Sequence, residues 1–276
     1  MGIDNETTGS ELKKEMHLSY PVSDEMTGEV VTDPDGFPIA ELESDDYLEL
    51  ANTMSIEERS RGERAWRFGH VIVDEAQDLT EMQWRMIGRR ARGKSMTIVG
   101  DVAQRTVGET ATWDELLPAE LGDVRRFDLS TNYRSPEEIT PWASAVLHEI
   151  DPELTQPLAI RSTGHPVEVE RVEDASQLEH KALRIAEQYS REIDGGQVAI
   201  VSTQSMEIDS ENIRVLTPKQ SKGMEFDAVV VVEPAEIISQ SHGLALLYVA
   251  LTRTTNRMSV VHFAELPGIF SPLTRR

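Results

Sequence analysis

Five short segments carry residue types that could do phosphate chemistry. Directly after the apolar run Val71-Ile72-Val73 comes Asp74-Glu75-Ala76-Gln77-Asp78, with two adjacent carboxylates at its head. Ligands in α/β sheets bind at the carboxyl ends of strands. There, Asp74 could hold Mg²⁺ through water while Glu75 orients a water for attack on a phosphate. An acidic turn capping the helix that begins near Leu79 would read the same way, so the pair alone does not decide between the two.

After Met96-Thr97-Ile98-Val99 comes Gly100-Asp101-Val102-Ala103-Gln104, a tight turn that would deliver a carboxamide where it can sense a γ-phosphate. Asn132-Tyr133-Arg134-Ser135 precedes Pro136 at a helix start. Tyr133 offers a flat ring for a base and Arg134 a fixed cation for developing phosphoryl charge. Ser221-Lys222-Gly223-Met224-Glu225-Phe226-Asp227 leads into the apolar Ala228 to Val232, and Tyr248-Val249-Ala250-Leu251-Thr252-Arg253 closes a helical stretch. Each segment has a plain structural counterpart: a turn, a helix cap with a surface arginine, a helix C-terminal cation favoured by the dipole.

The elements that must position these residues follow from hydrophobic period. Strands are expected at His70 to Val73, Met96 to Val99, Val124 to Leu129, Val167 to Val172, Gln197 to Val201, Ile213 to Leu216, Ala228 to Glu233 and Met258 to Phe263. Helices fit Leu79 to Arg92, with Leu79, Met82, Met86 and Ile87 on one face, and Pro136 to Glu149, Ala175 to Ile193 and Gly243 to Thr252. Strands alternating with helices mean an α/β fold built on a mostly parallel sheet with flanking helices.

The chain has 276 residues, enough for about two domains with real cores. It contains no cysteine, which excludes disulfides and thiolate metal sites and fits a reducing, cytoplasmic compartment. Its apolar runs, Ala228 to Val232 among them, are far too short for a bilayer, and the N-terminus lacks a signal-peptide pattern. Seven scattered histidines, none paired at ligand spacing, argue against zinc. Lys and Arg number 27 against 49 Asp and Glu, a net charge of -22 that repels nucleic-acid phosphates. From Glu15 to Glu58 there are thirteen acidic residues and no Lys or Arg, so residues 1–58 read as an acidic tail or linker with a short helix near Asp46 to Met54. It would serve as a solvated spacer or as an acidic docking arm.

In this order, DEAQD, GDVAQ, NYRS, SKGMEFD and YVALTR resemble motifs II to VI of the superfamily 1 helicases of the UvrD, Rep and PcrA type, over residues 70 to about 264. The wording of HVIVDEAQDLTEMQWRMIGRR, SMTIVGDVAQ and KGMEFDAVVVVEP is similar to the HelD-like branch, factors that act on bacterial RNA polymerase. The resemblance implies RecA-like sheets in two lobes, the end of the first over residues 59–128 and the second over 129–276, with ATP between them. It implies ATP and Mg²⁺ as ligands, Asp74 on the metal and Glu75 as the base. Gln104 would couple the γ-phosphate to motion, with Arg134 and Arg253 as arginine fingers. Tyr133 would stack on adenine, and Gly223 and Glu225 would contact the nucleotide, Glu225 through the ribose.

The departures are equally specific. Gly88-x4-Gly93-Lys94-Ser95 spells a phosphate loop, but it ends a helix and enters a strand, the reverse of the required order. No other glycine-rich loop with a following Lys and Ser or Thr is present, so the Walker A part of the first lobe is expected to be supplied elsewhere, and this chain alone is expected to be inactive. After Gln104 the run Arg105 to Trp113 has no early aromatic for base stacking, an interaction worth about 1–3 kcal/mol per base. Trp113 reads as a packing residue beside Leu116 and Leu117. These features imply weak DNA binding and favour RNA polymerase as partner, in a factor that uses ATP to release or recycle it. A UvrD-type DNA helicase portion and a non-catalytic partner-binding remnant are the competing readings.

Overall fold

The computed structural model describes residues 68–91, 95–109, 111–193, 195–206, 208 and 210–274. The expected acidic tail at 1–58, its helix at 46–54 and Lys94 lie outside the described residues. From Phe68 onward the chain forms one compact unit.

Its centre is a five-stranded, wholly parallel sheet. The strands are β5 (Glu168–Arg171), β6 (Val198–Val201), β7 (Ile213–Leu216), β8 (Phe226–Val232) and β9 (Thr254–His262), in spatial order β5-β9-β8-β6-β7. In β6 and β8 nearly every side chain is buried, which is why Val198-Ala199-Ile200-Val201 and Ala228 to Val232 read as unbroken apolar runs: a parallel sheet is covered on both faces. Helix α4 (Leu178–Glu192) covers one face through Leu178, Ala182, Ile185, Ala186 and Tyr189, packed on Ile200, Val230 and Val261. Helices α3 (Thr140–Ile150) and α6 (Gly243–Leu251) cover the other, where Trp142, Val146, Leu247 and Leu251 meet Val201, Val229 and Val231.

A smaller layer precedes it. Strands β1 (Val71–Val73) and β2 (Met96–Ile98) pair in parallel, and α1 (Glu81–Arg90) packs on one side of them. A Thr80/Gln83 capping box starts α1. The anchor of this helix is Trp84, 1% exposed against Val73 and Ala76, whereas Met82 and Met86 of the expected apolar face point to solvent. On the other side of the two-stranded sheet Ile72 is 73% exposed. Trp113, at the start of the one-turn helix α2 (Trp113–Leu116), packs on the Val73 cluster with Leu117 and Leu121, as its sequence context suggests.

One expected strand is absent. Residues Val124 to Leu129 form no ladder, and Phe127 and Leu129 are 81% and 90% exposed. Their apolar alternation is that of a strand, but no described neighbour offers them a ladder of hydrogen bonds, and an unpaired strand has no stabilisation of its own. The pairing starts two residues later, in β3 (Thr131–Asn132) against β4 (Leu158–Ala159), each too short to leave a periodic signature. Helix α3 likewise begins four residues past the expected start, because Pro136 to Ile139 form a turn.

That turn is clamped to the chain after β4. The Glu138 carboxylate accepts hydrogen bonds from Ser162 Oγ and from the N–H groups of Thr163 and Gly164. Burial alone would raise its pKa, but these donors outweigh it and hold the carboxyl at about 2, below the ordinary 4.5. A depressed acid stabilises the fold above its unfolded pKa and loses that contribution as the pH falls through the folded one. We expect Glu138→Gln to lower stability at pH 6, and the gap from the parent to close between pH 4.5 and about 2. Urea unfolding of both proteins across that range checks it; a gap independent of pH would contradict it.

Candidate functional site

Two loops leave the small sheet side by side. After β1, Glu75 takes a left-handed backbone conformation (φ 50°, ψ 35°), which turns Asp74 and Glu75 out while folding Ala76 and Gln77 inward. Gln77 is fully buried and joins the two loops: its Nε2 donates to Glu75 Oε2 at 2.6 Å, and its Oε1 accepts from the Asp101 N–H at 3.0 Å. This approach fixes Gly100, since a Cβ there would collide with Gln77 Oε1 and the Trp113 ring.

The loop after β2 then reaches across to the large sheet. Ala103 is buried in the core formed by α3, α6 and β8. Gln104 Nε2 donates to Asp101 Oδ2 at 2.9 Å, which leaves its Oε1 to accept from Arg253 Nη2 at 3.1 Å. Arg253 is only 2% exposed and donates also to the carbonyls of Val249 (3.0 Å) and Met224 (3.3 Å) and to Thr252 Oγ1 (3.0 Å). Burial, with Arg134 adding repulsion, lowers its pKa, while Glu75 and Glu225 act in the opposite sense. Burial also raises the Asp101 carboxyl, partly offset by its bonds to Gln104 and Ala103.

Lys222 makes the second crossing. Its ammonium lies 2.5 Å from Asp78 Oδ2, 2.9 Å from the Gln104 carbonyl and 3.6 Å from Glu75 Oε2. Gly223 follows at φ 74°, a turn that suits glycine, and Glu225 emerges to pair with Arg134 at 2.5 Å. The Asn132 carboxamide accepts from the Arg134 and Ser135 N–H groups, both at 3.0 Å, fixing the turn that presents Tyr133 and Arg134.

The structure thus gathers Gln104, Tyr133, Arg134 and Arg253 around one cleft of about 230 Å³, with Leu129, Pro157 and Tyr248 among its other walls. Tyr133 is 74% exposed at its edge. Glu75 joins through Lys222 and Glu225 through Arg134. Asp74 stays exposed, one carboxylate oxygen accepting from the Glu75 N–H at 2.8 Å. Gly223 shapes the chain without lining the cleft. The expectation that candidate ligand residues follow strands holds for β1, β2 and β3, the last leading directly into Tyr133 and Arg134. Lys222, Glu225 and Arg253 sit before β8 and β9, so the cleft runs between carboxyl ends of one sheet and amino ends of the other.

Sequence reasoning assigned no role to Gln77, Asp78, Asp101, Lys222 or Tyr248. All lie inside the quoted segments, and the signal was a polar residue beside apolar strand or helix positions. Tyr248 lines the cleft, and burial, reinforced by Asp101, raises its hydroxyl above the ordinary value. The phosphate-loop spelling keeps its unfavourable context: Gly88 is in α1, and Ser95, just before β2, is hydrogen-bonded to His70 at 2.8 Å.

No group of three or more His, Asp or Glu side chains placed to hold a metal occurs among the described residues.

A parallel sheet flanked by helices, with paired loops and buried arginine at its edge, defines a RecA-like α/β fold of the helicase type. The model of the viral superfamily 1 RNA helicase core domain matches residues 48–262, more than three quarters of the chain, and the chain belongs to that family. Among solved structures it is similar to the C-terminal domain of a possible DNA helicase from Lactobacillus plantarum WCFS1, with 17% identity over 51% of this chain and 92% of that one and a TM-score of 0.39. It is similar also to the PRRSV helicase, at 18% identity over 69% of this chain and 34% of that one, TM-score 0.43. Arterivirus nonstructural protein 10, a helicase, shows 15% identity over 76% and 42%, TM-score 0.43. The chain thus spans well under half the length of these last two. No curated protein matches it.

The Lys222 crossing generates a test. Removing the ammonium leaves Asp78 with Thr106 as its partner and frees the small layer from one of its two polar ties to the large sheet. Lys222→Met should lower stability by about 1–3 kcal/mol. Urea unfolding followed by tryptophan fluorescence measures this; a change below roughly 0.5 kcal/mol would mean the pair is a solvent-screened surface contact.

Proposed function

We propose that this chain carries most of the ATP-responsive machinery of a superfamily 1 helicase-related NTPase, and that the complete protein hydrolyses ATP with Mg²⁺. The observation that supports this most directly is the convergence of Gln104, Tyr133, Arg134 and Arg253, from three separate segments, on one cleft. In this reading the exposed Tyr133 ring stacks on the base, and Arg134 and Arg253 face the charge that develops on the transferred phosphoryl group. Glu75 takes the proton of the attacking water. Gln104 reports the γ-phosphate to both loops, because its amide is shared between Asp101 and Arg253. Glu225 exchanges Arg134 for the ribose. Mg²⁺, when bound beside Asp74, offsets phosphate charge and aligns the reacting oxygens.

The target we propose for the complete protein is RNA polymerase. A net charge of -22 disfavours a phosphate backbone and favours the basic nucleic-acid channels of a polymerase. The loop after Gln104 supports the same reading, since it offers Thr106, Val107 and Gly108 where a stacking platform would need rings. A nucleic-acid helicase is the second reading, and the family to which the chain belongs is the observation that favours it.

Because these residues contain no phosphate loop entered from a strand, we expect no magnesium-dependent ATPase activity from the purified chain; turnover abolished by Glu75→Gln would refute this. In a complete protein containing the chain, Arg134→Ala and Arg253→Ala should each lower kcat by about 10³–10⁵. Tyr133→Ala should raise KM for ATP more than it lowers kcat, since stacking serves ground and transition states alike. Hydrolysis within about threefold of the parent for both arginine variants would remove the finger assignment. A pull-down with core polymerase at physiological salt, beside a single-strand DNA binding assay, decides the target: DNA binding without polymerase retention would favour the helicase reading.

A further inference from the structure

The two arginines of the cleft stand 119 positions apart in sequence, yet one side chain spans the backbones that carry them. Arg161, just after β4, donates Nε to the Arg134 carbonyl at 3.1 Å. Its Nη2 donates to the same carbonyl and to the carbonyl of Thr255, two residues past Arg253. Neighbouring bonds run in parallel: the Glu137 N–H donates to the Arg161 carbonyl at 2.9 Å, and Thr163 Oγ1 donates to the Asn256 carbonyl at 3.1 Å.

We infer that Arg161 is a positioning residue that sets the Tyr133-Arg134 turn and the start of β9 after Arg253 as one unit. A planar guanidinium presents several N–H donors in fixed directions, so the two carbonyls it holds cannot move independently without losing a charged hydrogen bond. The Arg134 side chain remains free to change partners, because Arg161 grips its backbone and not its guanidinium. The backbone of Arg253 is held twice over, by its Phe226 partner across the ladder and by Arg161 two residues on. In consequence, the distance between the two candidate fingers is a property of Arg161 as much as of the sheet. Arginine at this site also explains why lysine would not serve: a single ammonium on a flexible stem lacks the fork that reaches both acceptors. This deepens the nucleotide reading above and rests on it for what the unit is for.

Hydrogen exchange of the full chain tests the coupling directly. In Arg161→Gln, the Ser135 amide on one side and the Phe226 amide, which donates to the Arg253 carbonyl, on the other should both exchange about tenfold faster, with the α4 and β6 amides unchanged. Arg161→Lys should behave like the glutamine variant. If Ser135 alone loosens, Arg161 merely props up its own loop, and the inference falls; if lysine restores both amides, charge and not the fork is responsible, and it falls as well. Titration with ATP and Mg²⁺ decides what the unit serves. In a complete protein containing the chain, Arg161→Gln should weaken ATP binding about tenfold and add nothing to Arg134→Ala. A complete protein that binds no ATP overturns the nucleotide reading, while the exchange result still decides the coupling.

Discussion

A guanidinium buried as deeply as Arg253 must find acceptors for most of its N–H groups, because arginine does not abandon its charge. The acceptors come from four places: one turn of α6, the residue before Glu225, the neighbouring Thr252 and the Gln104 carboxamide of the other sheet. Only the last is a side chain from outside the large sheet, and only its orientation is adjustable. Asp101 sets that orientation by taking the amide nitrogen, so that the oxygen faces Arg253. The alignment of the small layer on the large one therefore follows in part from satisfying this cation, with Lys222 on Asp78 and the Gln104 carbonyl as the second tie.

Against a whole-molecule charge of -22, the cleft concentrates cations: Arg134, Arg253 and Lys222 face it or cross beneath it, and Arg161 stands behind. Long-range approach is governed by the sum, which discourages polyanions, whereas contact is governed by the local set within about a Debye length, roughly 8–10 Å. Much of that local charge is already answered. Arg134 is paired with Glu225 and Lys222 with Asp78, so an anion entering the cleft competes with carboxylates of its own sign. In the nucleotide reading proposed above, this arrangement would favour a ligand able to offer several charges at once, because a monovalent anion displaces one partner at a time and gains little.

The elements most legible in the sequence were those buried on both faces. Ala228 to Val232 and Val198 to Val201 could be read because a parallel strand between helix layers admits only apolar side chains, and Gly243 to Leu251 because α6 is enclosed all round. Half-buried elements misled. Met82 and Met86 share a helical stripe with Ile87, but the sheet lies under Trp84, and periodicity alone cannot say which stripe is covered. Val124 to Leu129 alternates as a strand should, yet whether a strand forms depends on a neighbour's free edge, which is a property of the whole assembly. In the site, the sequence could pick out the segments, of which Gln104, Tyr133, Arg134 and Arg253 line one cleft. The pairings Lys222 with Asp78, Arg253 with Gln104 and Arg161 with Thr255 could not be picked out, since each joins positions more than ninety apart and nothing local announces them.

The left-handed backbone at Glu75 has a further consequence. A side chain bearing a Cβ is disfavoured there by about 1 kcal/mol or more, so the fold taken by itself would prefer glycine or asparagine at that position. The carboxylate is present against the preference of its own backbone. In the nucleotide reading proposed above, selection for folding and selection for turnover would pull residue 75 in opposite directions, and a descendant released from that chemistry would gain backbone stability by discarding the carboxylate.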